Sequence, residues 1–162
     1  MERRKSIDNT YTKAQSRVIK MRKANLNIEQ SKAVYNRCKG HIEPKHCYNN
    51  IFEVVTDYME KFRSDNSKWK VCYGFTEVML GVYCRHCFIL DEIGEVIDPT
   101  IFTQSEPPLE REYYAMYVFD DVDEYLTAIE ENDLMPALDK YLREKDNEAQ
   151  KWAREQGIFF IG

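Results

Sequence analysis

The sequence predicts an α+β domain: a central antiparallel sheet with a helix packed on it and helical extensions at both ends. Three observations lead there. Trp69-Lys70-Val71-Cys72-Tyr73-Gly74-Phe75 alternates and is rich in strand formers, and residues 79–90 continue in the same character. Gly94 breaks that run before a second short strand at Val96-Ile97. Ahead of these strands, Ile51-Phe52-Glu53-Val54-Val55-Thr56-Asp57-Tyr58-Met59 reads as a helix over about residues 50–62, closed by the turn cluster Arg63-Ser64-Asp65-Asn66-Ser67. The links between strands are too short for crossover helices, so the strands are expected to be antiparallel with the helix on one face.

Composition sets the bounds. A chain of 162 residues with 43% hydrophobic and 13% aromatic content has enough apolar material for one domain with a core, and too little length for two of ordinary size. A net charge of -5 supplies no general attraction to nucleic acid or to an anionic membrane. No stretch approaches the roughly 20 apolar residues of a membrane span. Met1-Glu2-Arg3-Arg4-Lys5 is not followed by the apolar core of a signal peptide, so the expected compartment is the cytoplasm. The cysteines at 38, 47, 72, 84 and 87 form an odd set, which reads as reduced thiols rather than a disulfide framework.

Two ends flank the central part. Residues 1–40 are basic, and their apolar residues are sparse: Tyr11, Ala14, Val18, Ile19 and Met21, then Ala33, Val34 and Tyr35. They read as a helical arm preceding a domain of residues 41–162, with a weak helical stripe at 18–21 and a short helix over 27–35. In the acidic part after Glu106-Pro107-Pro108, Tyr113-Tyr114-Ala115-Met116-Tyr117-Val118-Phe119 reads as a strand. Asp120-Asp121-Val122-Asp123-Glu124 supplies caps for a helix over residues 122–132. Pro136 is placed at the first turn of a further helix carrying Ala137, Leu138, Tyr141 and Leu142. The apolar tail Ile158-Phe159-Phe160-Ile161 is expected to dock on the body or on a partner. Either the arm or the tail would serve a homo-oligomer.

The chemistry concentrates in residues 41–104. Cys47, in His46-Cys47-Tyr48-Asn49-Asn50, stands at the start of the helix, where unpaired N–H groups and the positive end of the dipole favour a thiolate. His86 lies in the strand Val82-Tyr83-Cys84-Arg85-His86-Cys87-Phe88-Ile89-Leu90, and Asp98 ends the next strand in Val96-Ile97-Asp98-Pro99-Thr100. An imidazole accepts a thiol proton, and a carboxylate on its other nitrogen, expected here on Nδ1, fixes the tautomer. Cys84 shares the face of His86, whereas Cys87 points to the opposite face. Cys72 reads as a small core residue.

Cysteine at a helix start, histidine in a following strand and Asp-Pro-Thr after the next resembles the core of transglutaminase-like enzymes in the papain-like group. The resemblance covers roughly residues 44–102. It implies Cys47 as nucleophile, His86 as base and Asp98 as orienter, with no cofactor. The reaction implied is hydrolysis, deamidation or acyl transfer on a peptide, protein or small amide or ester. His46 and Tyr48 replace the small or aromatic residues common beside such a nucleophile. The Cys47 N–H and one of Asn49, Asn50 or His41 would bind the oxyanion. The compact chain and polar arm also resemble a bacteriophage or bacterial accessory protein.

Two other readings stand beside this one. Cys38, His41, His46 and Cys47 gather two thiols and two imidazoles within ten positions, a zinc-stabilised interaction protein by that reading, although the spacing lacks paired knuckles. A non-catalytic, protein-inhibiting or small-molecule module on the same fold would use Trp69, Tyr73, Tyr83 and Arg85 to hold a nucleotide or metabolite by stacking and charge. No GxGxxG or Walker-type run accompanies them.

Overall fold

A computed structural model describes residues 19–65 and 68–161 of the chain. The elements run β1 (Arg22–Ala24), α1 (Ile28–Cys38), α2 (Cys47–Asp57), α3 (Met59–Arg63), β2 (Lys70–Met79), β3 (Val82–Leu90) and β4 (Val96–Ile97). A 3-10 turn (Pro99–Thr103), β5 (Tyr113–Val118), α4 (Val122–Glu131), α5 (Arg143–Glu155) and β6 (Phe159–Ile161) follow. The class is α+β.

The sheet has the order β1-β5-β2-β3-β4, with β6 pairing β3 as well. Its spine is the β2–β3 hairpin, closed at Leu80-Gly81 where Gly81 takes φ +77, a conformation glycine adopts without steric cost. β6 runs parallel to β3, pairing Val82 with Phe159 and Cys84 with Ile161. The sheet is therefore mixed, not antiparallel throughout as expected. α5 intervenes between β5 and β6, and that crossover allows the parallel register. Phe160 stacks on Phe75 at 3.9 Å and meets Tyr83 edge-on at 5.8 Å, so the tail docks on the body.

Alternation along β3 separates two packing environments. Tyr83, Cys87 and Ile89 face the main core with Val71, Tyr73 and Phe75 of β2, under Ile51, Val54 and Val55 of α2. Phe88 and Leu90 face a smaller core with Cys72, Val96, Tyr113 and Ala115.

The helices depart from expectation in instructive ways. α2 begins at Cys47 and breaks at Tyr58, whose backbone leaves the helical region at φ -119, ψ 29. The Tyr58 ring is held there between Trp69, 5.4 Å away, and the Arg37 guanidinium at 4.1 Å. The helix expected from Pro136 is absent: residues 136–138 are irregular, residues 139–142 form turns, and α5 starts only at Arg143. Asn132 Nδ2 donates to the carbonyls of Met135 and Ala137, at 2.9 and 3.2 Å, and Tyr73 OH donates to the Pro136 carbonyl. Those carbonyls are satisfied by side chains instead of by a helix, while Leu138, Tyr141 and Leu142 are still buried.

The boundary expected between residues 40 and 41 is not a structural one. β1 pairs Arg22 with Ala115 and Ala24 with Tyr113. α1 is capped by Asn27, whose Oδ1 accepts the Gln30 N–H at 3.0 Å, and buries Ser31, Val34 and Cys38. Ala24, Val34 and Cys38 land inside, and Ile19, Met21, Leu26 and Tyr35 pack partly buried against the cores. Val18 and the rest of residues 1–18 lie outside the described residues, and 19–21 carry no helix.

Candidate functional site

Cys47 is the first residue of α2 and is half-buried. Its N-cap, His46, makes no side-chain capping bond, so the helix start keeps its N–H groups unpaired by a side chain. His46 instead sets its exposed Nδ1 3.2 Å from Glu43 Oε2.

His86, 7% exposed, stands at mid-β3 opposite Gly74 of β2. A Cβ at Gly74 would collide with the Tyr114 carbonyl and press on the Phe88 ring, so only glycine fits beside the imidazole there. The outer edge of β3 pairs with β6 at Val82–Cys84 and with β4 at Ile89 and Leu90, leaving 85–88 between the two pairings. Cys47 lies near enough to act on the charge of both His86 and Cys87, which is on the opposite face. A residue close to both faces must lie at the strand edge. A helix packed on the Cys87 side thereby presents its first residue to a histidine on the other.

Asp98 is fully buried, the last residue before the Pro99 turn. Its Oδ2 lies 2.8 Å from His86 Nε2 and accepts Tyr113 OH at 2.6 Å. Its backbone N–H donates to Ser31 Oγ of α1 at 2.9 Å. Asp98 is thus on Nε2, not on Nδ1 as expected, because β4 and the turn approach the ring from that side. Nδ1 is the nitrogen left for the thiol.

Asn50 locks this arrangement. Its Oδ1 accepts the Glu43 N–H at 3.0 Å, and its Nδ2 donates to the Glu43 carbonyl at 2.8 Å and to Thr100 Oγ1 at 3.0 Å. One buried amide therefore ties the loop before Cys47, the helix after it and the turn after Asp98. Both of its amide hydrogens are engaged, so the expected oxyanion role of Asn50 is replaced by a positioning one. Asn49 and His41 are exposed.

Burial and charge act on these groups in opposite senses. Burial pulls the His86 imidazole down more than any other single influence. The Asp98 and Cys47 charges and their hydrogen bonds together overcome it, so His86 is held well above its ordinary value. Burial pushes the Asp98 carboxyl up, yet His86 and the Tyr113 hydroxyl hold it below its ordinary value. Burial raises the thiols of Cys84 and Cys87. The arrangement sets a thiol beside an imidazole that is hydrogen-bonded to a carboxylate, and Tyr113 braces that carboxylate.

The other sequence candidates lie elsewhere. Trp69, Tyr73 and Tyr83 are core residues at 1%, 1% and 4% exposure, with Trp69 Nε1 on Glu92 and Tyr83 OH on Glu112. Arg85 is held by Asp146 of α5 through two bonds of 2.9 and 2.8 Å. They do not assemble an open stacking pocket, because the alternation that groups them also turns them into the main core. For zinc, Cys38 is buried at the end of α1 beside Asp57, its thiol pushed up to about 12 chiefly by burial, while His41 and His46 are exposed. Among the described residues no three such donors converge as a metal site. Sequence reasoning missed Ser31 and Tyr113, and no local pattern marks either one. Among the described residues no helix is long and apolar enough to cross a membrane. Comparison with family models, with curated proteins and with solved structures finds no match for this chain.

Proposed function

We propose that the protein carries out thiol-dependent acyl chemistry on an amide or ester, in the manner of a transglutaminase-like or papain-like cysteine enzyme. The observation that carries this reading is the line from Cys47 through His86 to Asp98, assembled from three separate elements. Cys47 Sγ attacks the carbonyl carbon with the thiol proton already held on His86. His86 then gives that proton to the departing amine or alcohol, leaving a thioester on Cys47. Water or an amine attacks the thioester, His86 again taking the proton, and Cys47 is released. Asp98 remains ionised and keeps the imidazole oriented. The Cys47 N–H at the start of α2 faces the developing oxyanion, and Asn49 or His41 is the candidate second donor.

Brief exposure to p-nitrophenyl acetate, followed by peptide mass spectrometry, tests this reading. The expected result is an acetyl group on Cys47, formed at least tenfold faster than on Cys84, the other half-buried thiol, and removed by hydroxylamine. Equal acetylation of the two thiols would overturn the assignment of Cys47 as nucleophile.

A further inference from the structure

A second concavity opens at the far end of the strands, away from Cys47. It encloses about 670 Å3, within the range of small-molecule sites. Leu90, Met116 and Val118 supply its apolar lining, and Lys20, Arg22, Lys68 and Lys70 line it as well. The Arg22 guanidinium reaches over the turn at Gly94. No hydrogen bond or ion pair through these four cations occurs among the described residues.

Among the described residues the same rim carries three carboxylates, Asp91, Glu92 and Asp120, and two of them are taken up by the fold. Asp91 Oδ1 accepts the N–H groups of Ile93 and Glu95, at 3.0 and 2.8 Å, and thereby shapes the β3–β4 turn. Glu92 Oε2 accepts Trp69 Nε1 at 3.1 Å. Asp120 has a partner of its own. The Asp91 and Glu92 carboxylates face donors already, whereas the four cations line the cleft. The four cations outnumber the three carboxylates of the rim, so the cleft keeps an excess of positive charge that a bound anion offsets.

We propose that this cleft is a binding site for an amphipathic organic anion, with a carboxylate or phosphate head among the four cations and an aliphatic body on Leu90, Met116 and Val118. Among the described residues no aromatic ring lines the cleft, so none of them would stack on a nucleobase. The site is independent of the thiol chemistry and does not rest on it.

Calorimetric titration of the whole protein with octyl phosphate, octanoate, octanol and octylammonium, each kept below its micelle concentration, tests the proposal. Saturable one-to-one binding of octyl phosphate or octanoate is expected, whichever binds tighter naming the head group, at least tenfold tighter than octanol. Charge reversal by Arg22→Glu with Lys68→Glu should weaken that binding at least tenfold. Arg22→Gln with Lys68→Gln, which leaves the chain less perturbed, should weaken it by a smaller factor, and raised salt should weaken it too. Equal or tighter binding of octanol or octylammonium would overturn the proposal, as would no saturable binding of either anion. Unchanged affinity in the glutamine pair, at an unchanged melting temperature, would overturn it as well.

Discussion

The two faces of β3 make an informative pair. On one, Tyr83, Cys87 and Ile89 are buried among hydrophobic side chains of β2 and α2. On the other, His86 meets the Asp98 carboxylate at the end of β4, itself braced by the Tyr113 phenol of β5, and lies near the Cys47 thiol of α2. Cys87 and His86 are adjacent in the chain and both are buried. What differs is the supply of partners. Cys87 is surrounded by apolar groups, so burial pushes its thiol up and leaves it a small hydrophobe. His86 is surrounded by groups that stabilise its charged form, and their combined effect exceeds the cost of its burial. Burial alone therefore does not decide whether a titratable residue is quiet; its neighbours do.

The sharpest test of that contrast is His86→Ala. With no base beside Cys47, acetylation by p-nitrophenyl acetate should fall by about two to four orders of magnitude. Retained acetylation at a normal rate would show that the polar face is no more reactive than the apolar one.

Asp98→Asn comes next. Removing one charge from a buried pair typically costs about 3 kcal/mol, and acetylation of Cys47 should slow by orders of magnitude as well. The pH dependence of the stability loss follows from the directions of the two shifts. Asp98 is lowered in the folded protein, so its contribution is present above its unfolded value of 3.8 and is lost as pH falls through the folded value. His86 is raised, so its contribution is present in full below 6.5 and is lost as pH rises through the folded value. The melting-temperature gap between the parent and Asp98→Asn should therefore be widest between about pH 4 and 6.5. A gap that stays constant from pH 3 to 9 would reduce Asp98 to an uncharged turn residue before Pro99.

Asn50→Ala should lower stability by about 2 kcal/mol, since it leaves backbone groups of Glu43 unpaired. Acetylation of Cys47 should slow at the same time, because the helix start and the Asp98 turn lose their shared anchor. Stability lost with an unchanged acetylation rate would make Asn50 a fold residue only. The smallest effect belongs to the apolar face. Cys87→Ala should cost about 1 kcal/mol, seen in a denaturant melt, and leave the rate at Cys47 unchanged. A slowed rate there would break the separation of the two faces.

The sequence made part of this legible. Cys47, His86 and Asp98 stand out because each has a local marker: a helix start, an alternating strand and a proline stop. The His86–Asp98 bond spans only 12 residues of chain, within the reach of a short turn between neighbouring strands. Ser31 and Tyr113 carry no such marker. Ser31 meets Asp98 across 67 residues, and the Asn50–Thr100 bond spans 50. The oxyanion role expected of Asn50 rested on its nearness in sequence to Cys47, which says nothing of where its amide hydrogens go.

Rules that act over a few residues thus determined what they reach: the β2–β3 strands and their alternation, the Asp121 cap accepting the Glu124 N–H at 2.8 Å, and the side of the strand on which His86 points. Tertiary structure decided the rest. It drew residues 22–38 into the sheet and core, broke α2 at Tyr58 and turned residues 136–142 away from helix. It also brought four cations from two distant segments around one cleft. Each of those outcomes depends on which partner a side chain finds across the fold, and that choice leaves no periodic trace in the chain.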